Sequence, residues 1–313
     1  MAPIVALAGG VGAARFLRGV VRAASPDDVV VIVNTGDDRE FYGVHVSPDV
    51  DIVTYTLAGR VDSERGYGLD GDGFAVIDAL AALGHETWFR LGDRDLATAL
   101  HRTIRLREGA GLAAITDEIR RAFGVRPRIL PMSEDPCPTF VELEGGRRVH
   151  FEEYLARDGA PDDVRAVDLS AARAACPAPG VLDALAAARV VLVCPSNPIV
   201  SIGPILAVGG VRDAVAASRA PVVAISPIIA GAPVKGPADR LLRGVGIEVS
   251  ARGVASLYRG VVRGFVVDSR DADQAPAIEA LGMRTTSTDT WMRDPDASTR
   301  LAGEVLDFAA SLG

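Results

Sequence analysis

Short, mostly apolar and β-branched runs recur along the chain: Ile4–Ala8, Val29–Val33, Val190–Val193, Pro221–Ile225 and Gly264–Asp268. Such runs lack polar alternation, so they predict strands buried on both faces, as in a parallel sheet. Between them lie stretches with helical spacing. These are Phe74–Leu83 with Gly84 as its C-terminal stop, Gly111–Phe123, Pro237–Leu242 and Asp296–Leu312. A further helix follows Gly92-Asp93-Arg94-Asp95, with Leu96, Leu100 and Ile104 on its apolar face. Another covers Ile52–Ala58, capped by Ser47 or Asp49. Trp88–Leu91 and Arg128–Met132 read as shorter strands. Asp62–Gly73, rich in glycine and acid, reads as an ordered loop.

Strands alternating with helices predict right-handed crossovers and an α/β fold, a Rossmann-like doubly wound parallel sheet. The texture changes between residues 139 and 180. There, Val141–Leu143 and Val149–Phe151 flank Gly145-Gly146 as a hairpin, and Pro, Asp and Ala cluster afterwards. The expected organisation is a nucleotide-phosphate-binding core of residues 1–138 and 181–313, with 139–180 inserted as a smaller lid subdomain.

Composition narrows the function. At 313 residues, with 49% hydrophobic and 24% charged side chains, the chain can form one large α/β domain or two smaller ones. A net charge of −8 argues against nucleic acid as a partner. No signal-peptide pattern precedes the first strand and no apolar run reaches membrane-spanning length, so no membrane partner is expected. The three cysteines are odd in number and form no CxxC pair, so they suggest neither a disulfide framework nor a zinc site, and a reducing cytoplasm is expected. The four histidines have no metal-ligand spacing, so any metal should be hard and oxygen-bound, Mg²⁺ first.

The candidate chemistry sits at strand ends. Gly9, Gly10 and Gly12 follow the first strand and precede helical residues, an arrangement that aims backbone N–H groups at a phosphate. No Gly-Lys-Ser/Thr follows, so this is not a Walker A loop. Arg15 replaces the third glycine of a dinucleotide fingerprint, and the second strand ends in Asn34–Asp38 rather than one ribose-binding acid, which disfavours a dinucleotide oxidoreductase. Asn34–Asp38, Cys194–Pro198 and Ser226–Ile229 should open on the same sheet edge as the glycines. Ser196 and Asn197 can donate to phosphate or ribose; taken alone, their loop reads equally as a turn with an Asn cap. Paired acids recur at Asp37/Asp38, Asp49/Asp51, Asp70/Asp72 and Asp93/Asp95, and most such acids cap helices or face solvent. Asp49/Asp51 is the better metal candidate, because it precedes a helix beside an apolar flank. Arg90 and Arg94 could bind an anion or a planar ring. No Ser-His-Asp or Cys-His arrangement supports covalent catalysis.

Taken together, Ala8–Leu17, Asn34–Asp38, Ser47–Asp51, Leu91–Thr103 (LGDRDLATALHRT), Leu130–Asp135, Pro195–Ala207 (PSNPIVSIGPILA) and Ser226–Gly236 resemble the 2-phospho-L-lactate transferase family of coenzyme F-420 biosynthesis. The resemblance implies that the deazaflavin Fo attacks a guanosine diphosphate-linked phospho-hydroxyacid, either 2-phospho-L-lactate or phosphoenolpyruvate. GMP leaves, in a Mg²⁺-dependent reaction of a homodimer. It places Asp51, Arg90 and Asp93 at Fo. Gly9, Gly10, Gly12, Asn34, Ser196, Asn197, Ser226 and Lys235 fall at the donor, and Asp49 with Asp51 carries catalysis and metal. Relatives commonly hold an aromatic pair where this chain has Gly66-Tyr67-Gly68. The competing expectation is a non-catalytic nucleotide-sugar-binding regulator of the gluconeogenesis-factor-like family, which shares the opening glycines.

Overall fold

A computed structural model describes residues 2–62 and 64–313. Seven parallel strands form the central sheet: β1 Ile4–Ala8, β2 Val29–Val33, β3 Arg128–Pro131, β4 Val190–Val193, β5 Val222–Ile225, β6 Gly264–Asp268 and β7 Arg284–Thr288. Their order is β7-β6-β5-β4-β1-β2-β3. The chain therefore builds outward from β1 through β2 to β3, then returns to pair β4 with the other side of β1. That reversal between β1 and β4 is the topological switch, where doubly wound sheets open a crevice at their carboxyl ends.

The burial pattern explains why the apolar runs lack alternation. Val5, Leu7, Val30 and Ile32 pack into one core, while Ile4, Ala6, Ala8, Val29, Val31 and Val33 pack into the other. Side chains alternate between faces with a period of two, and helices cover both. Sheet strand β7 was not foreseen. Its sequence Arg-Thr-Thr-Ser-Thr is polar because it lies at the sheet edge, with one residue exposed at each of Arg284 and Ser287. Residues 140–168 supply a separate three-stranded antiparallel sheet, Phe140–Leu143 between Arg148–His150 and Val164–Asp168. Val141, Leu143, Val149, Phe151 and Tyr154 join the core that holds Val5 and Leu7, so this sheet packs onto the main one.

The helices that shape the site are α1 Gly10–Ala23, α2 Pro48–Leu57, α3 Ala75–Ala82, α4 Asp93–Arg107 and α5 Leu112–Ala122. Three local expectations are corrected. Trp88–Leu91 forms no strand; Phe89 stacks on Phe41 with centroids 3.9 Å apart, and Trp88 meets Phe41 edge-on at 5.4 Å. Aromatic packing, not a backbone ladder, fixes that segment. On α4, Leu100 and Ile104 are exposed, and the buried positions are Thr98, Ala99, Arg102 and Thr103. The helix turns its polar stripe inward because acids of α2 await it there. Ser47 precedes α2 without capping it, since its hydroxyl donates to Asp38 Oδ2 at 2.6 Å. Proline at N1 and acids in the first turn start that helix instead. Among the described residues, no helix is long and apolar enough to cross a membrane.

Helix α1 packs tightly against the C-terminal helix Pro295–Ala310 through Gly19. A Cβ on Gly19 would lie 2.0 Å from the carbonyl oxygen of Ser298, a backbone atom that cannot rotate away. Gly19→Ala should therefore cost about 1–3 kcal/mol, the usual scale of overpacking. The measurement is the urea unfolding midpoint; an unchanged midpoint would contradict this packing.

Candidate active site at the carboxyl edge of the sheet

A cleft of about 620 Å³ opens beyond the carboxyl ends of the paired strands β1 and β4. Its floor is the start of α1. Gly9 is extended, α1 begins directly at Gly10 (φ +72°), and Gly9, Gly10, Val11 and Gly12 line the cleft. The positive end of α1 thus opens onto it, a ready anion site. Glycine is required by close approach. A Cβ on Gly9 would lie 2.7 Å from both Asp49 Oδ2 and Ser201 Cβ, and one on Gly12 would lie 2.4 Å from the Pro195 carbonyl oxygen. The Gly9 N–H donates to Ser196 Oγ at 3.4 Å. Arg15 and Lys235 add positive charge to the same lining. Lys235 Nζ donates to the Arg65 carbonyl at 3.1 Å and lies 5.8 Å from the Tyr67 ring centroid. Burial, then Arg15, lowers its pKa.

Against this helix start stands a group of buried acids, Asp49 lying directly on Gly9. Asp37 follows β2, Asp49 lies in the first turn of α2, and Glu152 follows the Phe140–His150 hairpin. Burial pushes Asp49 up to about 7, against the hydrogen bond from Asn34 Nδ2 at 2.9 Å. Burial and then Asp49 push Glu152 up to about 8. Asp37 is raised by burial and by the charges of Asp49, Glu152 and Asp38, and its Oδ1 is buried without a protein partner. Among the described residues, no group of three or more His, Cys, Asp or Glu can hold a metal ion. The donor chemistry of Asp37 and Asp49 nevertheless fits a hard cation that takes its remaining oxygens from water and phosphate.

The third wall joins α2 and α4. Asp51, Tyr55 and Asp95 line it, beside Trp88, Phe89 and Arg90. Asp51 Oδ1 is paired with the buried Arg102, which opposes the upward push of burial. Burial, then the charge of Asp51, raises Asp95 to about 7. Arg90 sits 4.6 Å from the Phe74 ring centroid and pairs with Asp78 at 3.0 Å.

The single cleft therefore gathers Gly9, Gly10, Gly12, Asp49, Asp51, Arg90, Ser196, Asn197, Ser226 and Lys235. Asn34 and Asp93 lie off it. Asn34 is fully buried behind Asp49, which it orients, and it also donates to the Val200 carbonyl at 3.3 Å. Asp93 accepts from the N–H groups of Val76 at 3.0 Å and Ala75 at 3.1 Å, so it caps α3. Ser226 Oγ is engaged in its own turn with Ile228 N–H and carbonyl, at 3.1 and 3.0 Å. Asn197 Oδ1 accepts from Ile199 N–H at 3.0 Å, the turn that its sequence allowed. The sequence reading did not single out Glu152, Tyr55, Trp88, Phe89 or Trp291 as site residues. Nothing local to Glu152 signals it, since only the fold of the preceding hairpin carries it to Asp49.

A family model for "2-phospho-L-lactate transferase CofD" matches residues 4–298. The chain belongs to that family. It is 44% identical over 311 residues to a phosphoenolpyruvate transferase of Streptomyces griseus, covering 98% of each chain. It is 43% identical over 313 residues to a 2-phospho-L-lactate transferase of Methanopyrus kandleri, covering 99% of this chain and 98% of that one. In fold it is similar to a UPF0052 family protein of Bacillus halodurans, with TM-score 0.66 at 19% identity over 97% of this chain and 98% of that one. Membership of the family makes the chain a transferase.

The buried acids also set how stability depends on pH. In the folded chain Asp49 and Glu152 hold protons up to about 7 and about 8, whereas unfolded carboxyls release them near pH 4, roughly. Their stabilising contribution is complete below about pH 4 and is lost as pH rises toward about 8. Thermal melting in chelator should therefore fall across that window, and less steeply for Asp49→Asn. Identical slopes for the two proteins would contradict the burial of Asp49.

Proposed function

We propose that this transferase moves a phospho-hydroxyacid from a guanosine diphosphate-linked donor to the primary alcohol of the deazaflavin Fo. The alcohol oxygen bonds to the phosphorus that carries the acid, the bond to GMP breaks, and the alcohol proton passes to a carboxylate. The observation that carries this reading is the layout of one cleft. It holds a helix N-terminus with Arg15 and Lys235 for a diphosphate, buried acids beside it, and aromatic faces beyond them.

The chain's own groups divide the work. The first-turn amides of α1 with Arg15 and Lys235 hold the diphosphate in line with the acceptor. Trp88 and Phe89 offer flat apolar surface to the deazaflavin ring, and Arg90 flanks it. Asp51 takes the alcohol proton late in the transfer, as a carboxylate does in other phosphoryl transfers. Asp37 and Asp49 would hold Mg²⁺, which when bound neutralises diphosphate charge. The relatives named for enolpyruvate and for lactate stand at 44% and 43% identity, so both acids belong in the assay.

Incubation with Fo, Mg²⁺ and either donor should release GMP, and EDTA should abolish it; full turnover in chelator would refute the metal requirement. Asp51→Asn should lower kcat by about 10²-fold, the scale of removing a general base. A normal kcat in that variant would remove Asp51 from the mechanism.

Arg90→Ala tests the acceptor wall. It should raise the KM for Fo and leave that of the donor unchanged. Loss of donor binding with unaltered Fo affinity would reverse the assignment of the two walls.

A further inference from the structure

Arg102 heads the fully buried side chains of the described residues in size. It lies two turns along α4 from Asp95, so Asp95, Thr98 and Arg102 share one stripe of that helix. The stripe meets Asp51 and Tyr55, one turn apart on α2. Asp51, Tyr55 and Asp95 face the cleft; Arg102 does not. Arg102 Nη2 donates to Asp51 Oδ1, and Nη1 donates to the His45 carbonyl at 3.2 Å. Its Nε is buried without a partner.

Stability alone does not account for this arrangement. A buried ion pair gains little over apolar side chains of the same volume, because desolvating both charges offsets their attraction. Here the cation is sealed, one of its donors is left unpaired, and the anion is the member that reaches the cleft. The fork of the guanidinium fixes direction as well as charge, since its two arms are anchored to α2 and to the His45 backbone at once.

We propose that Arg102 is a positioning residue for the acceptor. By engaging Oδ1 it holds the Asp51 carboxylate in one orientation, so that the second carboxylate oxygen meets the hydroxyl bound in the cleft. This inference rests on the transferase reading above, in which Asp51 receives the Fo alcohol.

The test compares wild type, Arg102→Met, Arg102→Lys, Asp51→Asn and the Arg102→Met/Asp51→Asn double variant. Fo affinity is measured by titrating its absorbance, and kcat and both KM values by GMP release. Melting temperature reports folding. Arg102→Met should weaken Fo, in affinity or KM, by about tenfold or more, with the donor KM unchanged. Arg102→Lys should fall between, since a lysine keeps the charge but not the fork. Removing Arg102 from Asp51→Asn should cost nothing further, because the two act as a unit. Equal losses toward Fo and donor, or additive losses in the double variant, would overturn the proposal. If Arg102→Met does not fold, Arg102→Lys carries the test: an acceptor-only loss supports positioning, and wild-type constants or a uniform loss refute it. Wild-type turnover with unshifted acceptor constants in the Arg102 variants overturns this proposal alone. A wild-type chain that neither binds Fo nor releases GMP overturns the transferase reading with it.

Discussion

Everything at the cleft depends on how closely the start of α1 is approached from two sides. Asp49 of α2 lies against Gly9, and the Pro195 carbonyl lies against Gly12. Neither contact admits a Cβ. The sheet order sets up this approach: β1 and β4 are neighbours whose following segments depart in different directions, so their carboxyl ends leave a crevice. Glycine lets that crevice be shallow enough for backbone amides to form its floor. A bulkier floor would keep α2 and the Ser196–Asn197 loop apart, and the acids would no longer face the helix N-terminus.

The close approach has an electrostatic cost. Asp37, Asp49 and Glu152 are buried near one another, and each is pushed toward its protonated form. The protein offsets this only in part. Asn34 donates to Asp49, and the positive end of α1 lies alongside. Where α2 meets α4 the offset takes another form, a full cation, because Arg102 is buried directly behind Asp51. The two sides of the cleft thus hold buried carboxylates under different conditions: an amide donor to Asp49 on one, a buried guanidinium on Asp51 on the other, where burial still raises Asp95 to about 7.

The sheet was legible because strands buried on both faces have a simple signature, an unbroken apolar run. The edge strand β7 lacks it, since Arg284 and Ser287 meet water there. The glycines and paired acids were legible as chemistry at strand ends, where the fold brings loops together. Arg102 was not: on a helix whose apolar residues Leu96, Leu100 and Ile104 suggested a buried face, spacing alone pointed the wrong side inward. Burial here follows charge complementarity with α2, a partner 51 positions away in the chain. Glu152 was missed for a related reason, since its role depends on where a hairpin packs. Trp88 and Phe89 read as strand because aromatic, apolar clusters serve strands and the aromatic packing of a loop alike.

The separation of the walls bears on how the proposed donor and acceptor would share one cleft. A diphosphate needs amides and cations; an alcohol about to be deprotonated needs a carboxylate acceptor. Placed side by side in one polar pocket, these groups would neutralise each other as Arg102 neutralises Asp51. Here Arg15 and Lys235 stand at the α1 side, while Asp51 and Asp95 stand where α2 meets α4. The buried acids Asp37, Asp49 and Glu152 lie with the α1 end, where negative charge on a diphosphate would repel them. That repulsion is relieved if they remain protonated or if a divalent cation lies between them and the phosphates. Burial already pushes Asp49 up to about 7 and Glu152 up to about 8, whereas Asp51 on the other side of the cleft faces the guanidinium of Arg102 before any ligand arrives.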